Sequence, residues 1–320
     1  MHATAPVLLA LGFVIAATIV AAATPPVIAL AKRAGALAHP RSRGVHVAPT
    51  PLWGGLAMLV GFLVGLIAVL ALTRANGIAV DVSWRDIAGV LVGACAIAAV
   101  GAVDDRFEMR ALPKLLGQVV CAALLLPFGV QITGLAGHDL PLWLGGALTV
   151  MWVVAIVNAI NFIDGLDGLA AGVVGIASLA LAVVALGRGQ FVAATMSVVL
   201  AGSTLGFLPF NFNPARVFMG DLGSHFLGYV AAATAVLGTF KIAASVALLA
   251  PVVAFAVPIF DTLWAMFRRY RTGQSIARAD RNHIHHRLLE RGLSQRQAVL
   301  IIYGITAACS AAAVVMSWPK

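Results

Sequence analysis

The sequence predicts an all-α integral membrane protein of about ten transmembrane helices. Three observations predict it. Of 320 residues, 61% are hydrophobic and only 10% are charged, with a mean hydropathy of +1.00. A soluble chain of ordinary composition carries about a quarter charged residues, so lipid must solvate much of this one. The apolar residues fall in runs close to the roughly 20 that cross a bilayer. The Lys and Arg residues between those runs are strongly one-sided, which is the orientation signal of a membrane protein.

The runs lie near 5–31, 52–72, 86–103, 114–130, 141–160, 168–187, 190–208, 224–240, 242–264 and 298–316. The first exceeds the apolar core of a signal peptide, and its basic residues, Lys32 and Arg33, follow rather than precede it. The expectation is a retained first helix with an external N-terminus. Sixteen of the 21 Lys and Arg fall on one side; Arg74, Arg85, Arg188, Lys241 and Lys320 fall on the other. The richer side is therefore assigned to the cytoplasm, with both termini outside. No hydrophilic stretch is long enough for a soluble domain. The expectation is one polytopic domain over 1–320, with cytoplasmic loops near 32–51, 104–113, 158–168, 209–224 and 265–297. The net charge of +9 does not point to nucleic acid, because no soluble module carries it. Cys95, Cys121 and Cys309 lie inside apolar runs without disulfide or zinc spacing, and are expected to be packing residues.

The acids follow the same partition. Nine of twelve sit on or near the cytoplasmic side: Asp104, Asp105, Glu108, Asp164, Asp167, Asp221, Asp261, Asp280 and Glu290. Acids contribute little to orientation, so this clustering needs another cause. At the inner end of the third run stands Val103-Asp104-Asp105-Arg106-Phe107-Glu108. Adjacent carboxylates repel and are costly at bilayer depth; a divalent cation, a neighbouring base or a hydrated loop beginning after Val103 would relieve them. The fifth run ends in Asn158, Asn161 and Asp164, spaced by three so that they share a broad helical face, followed by Gly165, Asp167 and Gly168. This segment holds no Lys or Arg.

Further on, Asn211-Phe-Asn213-Pro214-Ala-Arg216-Val-Phe218-Met-Gly220-Asp221-Leu-Gly223 places a lone acid at a helix start. Asp221 there is either an N-terminal cap or a metal ligand facing a phosphate. The most basic loop holds Asp280-Arg281-Asn282-His283-Ile284-His285-His286-Arg287. His283 and His286 would share a helical face, and the cluster suits anionic oxygens or, for part of the loop, lipid headgroups. A weaker patch runs from His39 through Arg41, Arg43 and His46 to Trp53-Gly54-Gly55, whose glycines suggest close packing or approach to a ligand. Carboxylates, amides and basic groups from five segments thus converge on one membrane face. Oxygen-rich donors among phosphate-binding groups suit Mg²⁺ or Mn²⁺. The residues by themselves read as phosphoryl transfer between a cytoplasmic nucleotide-linked substrate and a lipid, with the active site on the cytoplasmic face.

At these motifs the chain resembles the polyprenyl-phosphate N-acetylhexosamine-1-phosphate transferases, the glycosyltransferase 4 type. Within them it looks most like the WecA-like branch that uses UDP-GlcNAc. The matching stretches are VGAVDDRFE, NAINFIDGLDGLAAG, VFMGDLGS and DRNHIHHRLLERGLSQRQAV, in order, over His39 to about Val299. The resemblance implies that the phosphate of an undecaprenyl-type lipid attacks the β-phosphorus of a UDP-sugar, releasing UMP, with Mg²⁺ assisting. It implies paired catalytic aspartates at Asp104 and Asp105, which handle metal and lipid phosphate, and a metal-ligand aspartate at Asp221. It places Asn161 near the metal and diphosphate, with Asn158 and Asp164 beside it in the substrate site. Asp167 matches a position that recognises uracil, and Phe218 one that stacks on it. Arg281, His283, His285 and His286 match the loop that closes over diphosphate and sugar. Asp261, Asp280 and Glu290 are expected to be structural.

The family's acidic motif often ends in Asp or Asn, and here it departs from that pattern by ending in Glu108. The branch that handles UDP-MurNAc-pentapeptide carries a Lys just before its Thr-Pro step; here Val47-Ala48-Pro49 precede Thr50-Pro51. The implied partners are UDP-GlcNAc, a polyprenyl phosphate and the bilayer, with a homodimer left open and no nucleic acid. Rival readings are another UDP-N-acetylhexosamine donor, or a cation-coupled transporter. A transporter would place ionisable groups near the midplane, whereas these lie at helix ends. The product is expected to be the first intermediate of an envelope glycan, such as O-antigen, other lipopolysaccharide or cell wall. Because a phosphate monoester has a second pKa of about 6, the lipid nucleophile is already dianionic at cytoplasmic pH. Asp104 is therefore expected to position it rather than to act as a base.

Overall fold

The structure, a computed structural model, describes residues 4–38, 49–77, 83–135, 138–240, 249–272 and 283–318. The expected patch from His39 to His46, and Arg281 with Asp280 and Asn282 in the histidine motif, lie outside the described residues.

The chain is helical almost throughout. α1 (Thr4–Ala34), α2 (Gly54–Ala75), α3 (Trp84–Phe107), α4 (Ala111–Ala123), α5 (Leu142–Ile163), α6 (Leu169–Gly187) and α7 (Phe191–Asn211) follow one another. They are succeeded by α8 (Gly220–Ala235), α9 (Leu249–Ala254), α10 (Ala256–Arg271), α11 (Ile284–Glu290) and α12 (Gln295–Ser317). Among the described residues strand pairing is confined to two short antiparallel ladders, β1 (Leu37–Ala38) with β2 (Thr50–Pro51), and β3 (Gly134–Leu135) with β4 (His138–Asp139). Among the described residues eight helices are long and apolar enough to cross a membrane: α1 to α7, with α4 extended to Phe128, and α12. The protein is thus an all-α, multi-pass membrane protein.

Two of the ten expected runs differ in their bounds. The run expected at 224–240 begins earlier, at Gly220, and ends in a π-helical turn over Val236–Phe240. The run expected at 242–264 is described only from Leu249 onward. Its described part is α9, a break at Phe255, and α10. Pro258 explains the break, because its ring collides with the carbonyl four residues earlier, which is Ala254, the last residue of α9. The polar loops are also shorter than expected. α3 continues through Asp104 and Asp105 to Phe107, and α4 begins at Ala111, so the 104–113 loop shrinks to 108–110. A hydrated loop beginning after Val103 is therefore excluded.

α8 forms the centre. Every residue from Leu222 to Ala235 is buried, as expected of a helix apolar on all sides. α3 and α5 pack directly on it, α1 packs on α2 and α7, and α12 packs on α6 and α9. Missing side chains let α8 sit this close. A Cβ at Gly101 of α3 would lie 2.4 Å from the Asp221 carbonyl oxygen, and one at Gly55 of α2 would lie 2.2 Å from Gly223 Cα. Gly55 thus serves the close packing expected of it. The three cysteines are free; Cys121 is buried and Cys95 exposed.

Candidate active site

The close approach at Gly101 sets the end of α3 against the start of α8. Helix N-termini leave backbone N–H groups without partners. Asp105 supplies them from the neighbouring helix. Its Oδ1 accepts from the Asp221 N–H at 2.7 Å and its Oδ2 from the Leu222 N–H at 3.2 Å. Gly220 turns with φ +70°, and a Cβ there would lie 2.4 Å from Asp105 Oδ2. Asp221 is therefore not the cap of its own helix; Asp105 is the cap, and Asp221 is presented by it.

Asp104 is one residue away but faces elsewhere. It is 6% exposed. Its Oδ1 accepts from the Met109 N–H at 2.7 Å, closing the turn after α3. Its Oδ2 meets the ammonium of Lys114 at 2.7 Å, and the same ammonium lies 2.9 Å from Asp221 Oδ2. Asp221 Oδ1 accepts from the Asn161 amide, which also donates to Ser224 Oγ at 2.9 Å. Lys114, shared with Asp104, and the Asn161 amide thus converge on Asp221 from α4, α3 and α5.

Lys114 had been read only as one more cytoplasmic positive charge. It is the residue sequence reasoning missed. The signal was available: α4 is strongly amphipathic in sequence, and Lys114 is the one charge inside it, a single loop after the aspartate pair. Gln118, one turn later on the same face, continues the polar network. It contacts His225 Nε2 at 3.2 Å and accepts from the Asn158 amide at 2.6 Å.

The α5–α6 turn forms the next wall. Asn158 and Asn161 lie on α5 and Asp164 caps its end. Burial, then the charges of Asp221, Asp105 and Asp167, pushes the Asp164 carboxyl up to about 8. Asp167 is buried, and its Oδ2 accepts from the Asn213 amide at 3.1 Å and the Ala215 N–H at 3.0 Å, fastening the turn after α7. Asn211 completes that fastening by accepting from the Gly168 N–H and donating to the Val217 carbonyl. Phe218, half-buried, is held through its backbone, its N–H on the Pro51 carbonyl and its carbonyl on the Gly54 N–H, both at 2.9 Å.

The histidines join this wall. His283 precedes α11, and His285 and His286 lie in its first turn. The shared face expected for His283 and His286 is not what forms. His283 stacks on His285, with centroids 5.7 Å apart and planes 6° apart, and His286 lies 4.3 Å from His285. His283 is outside the helix, so i, i+3 spacing does not apply to it. A Cβ at Gly165 would lie 2.5 Å from His285 Nε2, so the ring rests on the turn beside Asp164. Burial, then the neighbouring His286 and His283, pushes His285 down to about 3.

The donor set suits a hard divalent cation. Mg²⁺ is commonly bound by one or two carboxylates, with phosphate oxygens and water completing its shell. Asp104, Asp221 and the Asn161 amide could supply the protein's share. Asp105 keeps a lone pair on each oxygen, but its present partners give it the work of fixing Asp221.

The profile of glycosyl transferase family 4 matches residues 87–239, from α3 to the end of α8, the stretch that holds all the carboxylates just described. Named relatives match far more of the chain. It is 38% identical over 309 residues to a Bacillus subtilis protein named probable undecaprenyl-phosphate N-acetylglucosaminyl 1-phosphate transferase, covering 95% of this chain and 84% of that one. It is 41% identical over 325 residues to the decaprenyl-phosphate N-acetylglucosaminephosphotransferase of Mycobacterium tuberculosis, covering 92% and 79%. The chain belongs to the polyprenyl-phosphate N-acetylglucosamine-1-phosphate transferase family. A more distant member, from Haemophilus influenzae, is 32% identical over 292 residues, covering 88% and 79%. Membership gives Glu108 a physical reading. It caps α3 in the left-handed region, with φ 47° and ψ 66°, and is exposed. Asn and Asp adopt that conformation most readily among residues with a Cβ, which accounts for a family motif that often ends in Asp or Asn.

Proposed function

We propose that the protein transfers GlcNAc-1-phosphate from UDP-GlcNAc to a polyprenyl phosphate of undecaprenyl type on the cytoplasmic face of a bacterial inner membrane. One oxygen of the lipid phosphate forms a bond to the β-phosphorus of the donor. The bond from that phosphorus to the bridging oxygen breaks, and UMP leaves with the oxygen and its electron pair. A polyprenyl-diphosphate-GlcNAc remains. The observation that carries this reading is the convergence of Asp104, Lys114 and Asp221 at three helix ends, beside a row of histidines suited to phosphate.

Asp221, Asp104 and Asn161 would hold Mg²⁺ (Mn²⁺ has the same preference for such donors). When bound, the ion neutralises charge on the transferring group, the usual main contribution in phosphoryl transfer. The chain's own residues do the rest. Lys114 brings a positive charge between the two carboxylates, from which it can shift to a phosphate oxygen. Asp105 fixes the start of α8, and therefore Asp221. Asp167 and Phe218, set on the fastened turns around α7, form the nucleotide end, with Asp164 between Asp167 and the carboxylates, while Asn158, bonded to Gln118, extends the polar wall one turn further along α5. The histidine row closes the diphosphate end.

The test is UMP release by purified protein given UDP-GlcNAc, polyprenyl phosphate and Mg²⁺. No UMP from this mixture sinks the reading, and a panel of UDP-sugars in the same assay decides the donor. Asp104→Asn separates positioning from base catalysis. With a nucleophile already dianionic above about pH 7, its rate loss is expected to stay constant as pH rises; a loss that shrinks steadily would make Asp104 the base.

A further inference from the structure

Asp261 lies on α10, away from the carboxylates that hold Lys114, and its sequence context assigns it no chemistry. It is 6% exposed. It borders a largely apolar groove of about 420 Å³ lined by Val257, Phe260, Trp264, Ile284 and Ile305, with Arg287 as the other charged residue in its wall. A charge in such surroundings is costly unless fully partnered. Both partners come from the histidine segment. Asp261 Oδ2 is 2.8 Å from His283 Nδ1, and Oδ1 accepts from the Ile284 N–H at 2.8 Å. Ile284 is the first residue of α11, so its N–H is one of the helix's unpartnered donors. A single carboxylate thus sets both the start of α11 and the edge of the His283 ring.

The chemistry of that contact is restrictive. A carboxylate only accepts, so Nδ1 must carry the proton. Nε2 is then the nitrogen left for a ligand: an acceptor in the neutral ring, a charged donor in the protonated one. The plane of the ring is fixed as well, by Phe162 at 6.1 Å and by the parallel stack on His285. His285 in turn rests on Gly165, at the Asp164 turn.

We infer that Asp261 is a positioning residue of the transferase, holding His283 with Nδ1 protonated and Nε2 offered to the phosphate oxygens of the donor. The inference rests on the transferase reading above and on His283 meeting the donor. It turns a residue expected to be structural into one that acts through another.

Asp261→Asn tests it. The amide has one accepting oxygen and one donating nitrogen. With the oxygen on the Ile284 N–H, the NH₂ faces Nδ1, and the imidazole proton must move to Nε2. In protein labelled with ¹⁵N in histidine, the His283 signals are those missing from His283→Ala. They are expected to show Nδ1 protonated in the wild type and Nε2 protonated in Asp261→Asn. Carboxylate partners of functional histidines are commonly worth about 10- to 100-fold, so kcat/KM for UMP release should fall by that factor. In a His283→Ala background the same substitution should change it less than twofold. Asp261→Glu, which keeps a carboxylate, should retain the wild-type tautomer and recover part of the activity. An unchanged tautomer in Asp261→Asn, an undiminished loss in the His283→Ala background, or a Glu variant as impaired as the Asn variant overturns the proposal. Wild-type protein that releases no UMP overturns the transferase reading itself, and the tautomer measurement still reports separately on the Asp261–His283 pair.

Discussion

The two halves of the site are built with opposite polarity. On one side two carboxylates, Asp104 and Asp221, enclose a single cation, Lys114. On the other, a single carboxylate, Asp261, holds His283, on which His285 stacks. The acidic half stands on the ends of long helices buried against α8, and Asp105 locks two of those helices together through backbone N–H groups. The histidine half stands on α11, seven residues long, and reaches the rest through Asp261 and the ring resting on Gly165. A site that moves a diphosphate needs charge of both signs. Here the acidic half gathers carboxylates around one cation, and the histidine half gathers imidazoles, His285 kept neutral by its burial, beside one carboxylate.

The largest expected effect breaks the acidic half. Lys114→Met removes the shared cation and leaves Asp104 and Asp221 facing each other. Removing one charged donor prearranged at a reacting centre typically costs about 10²–10³ in kcat. Stability should fall as well, by up to about 3 kcal/mol, because breaking a largely buried pair exposes its desolvation cost. The Mg²⁺ dependence of UMP release should shift in the same variant. An unchanged Mg²⁺ dependence would mean that Lys114 and the metal do not share these carboxylates.

The lone counter-charges are also what the sequence concealed. Asp104, Asp105, Asp221 and the histidines stand out because like residues sit together in short motifs, and helices were legible because apolar runs have a length. Lys114 and Asp261 are single residues outside the motifs they serve. Lys114 is 107 positions from Asp221, and Asp261 is 22 from His283. Their roles arise only when α4 and α10 are packed, and no local periodicity encodes that packing. The break before α10 was hidden for a related reason: hydropathy measures an apolar run without noticing that Pro258 interrupts its backbone. Likewise, the aspartate pair read as one acidic unit, while the helix separates its members into a cap for α8 and a partner of Lys114.

A smaller effect should mark the histidine half. In Gly165→Ala the new Cβ lands 2.5 Å from His285 Nε2, so the ring and the segment behind it must move. Misplacement on the order of 1 Å can cost about 10²-fold, so kcat/KM should drop by about 10- to 100-fold. Unlike Lys114→Met, this variant should keep the wild-type Mg²⁺ dependence. A shift in that dependence would show that the two halves are not separable.

Asp164, where the halves meet, gives an effect on stability with pH. Its carboxyl is raised from the ordinary range near 4 to about 8, chiefly by burial and then by Asp221, Asp105 and Asp167. The folded state therefore favours the protonated form. That contribution is fully present below about pH 4 and is lost as pH rises through 8, with a slope of up to about 1.4 kcal/mol per pH unit between them. Asp164→Asn cannot ionise. It should unfold at a higher temperature than wild type at pH 8, with the gap closing toward pH 5. Parallel curves for the two proteins would remove Asp164 from this account.

The smallest effect lies just outside the acidic half, at Glu108. Left-handed backbone costs a residue with a Cβ roughly 1–2 kcal/mol, and Glu108 adopts it only because the chain must turn from α3 into α4. The turn is closed by backbone, through the Glu108 N–H on the Asp104 carbonyl at 2.9 Å and the Met109 N–H on Asp104 Oδ1, and the Glu108 side chain points to the surface. Asn takes this conformation with less strain and keeps every one of those bonds. Glu108→Asn should therefore retain full UMP release and raise the unfolding temperature by roughly 1–3 °C. Thermal unfolding beside the standard assay checks both. A Glu108→Asn protein that is more stable but inactive would place its carboxylate in the chemistry, and the acidic half would then hold three working carboxylates instead of two.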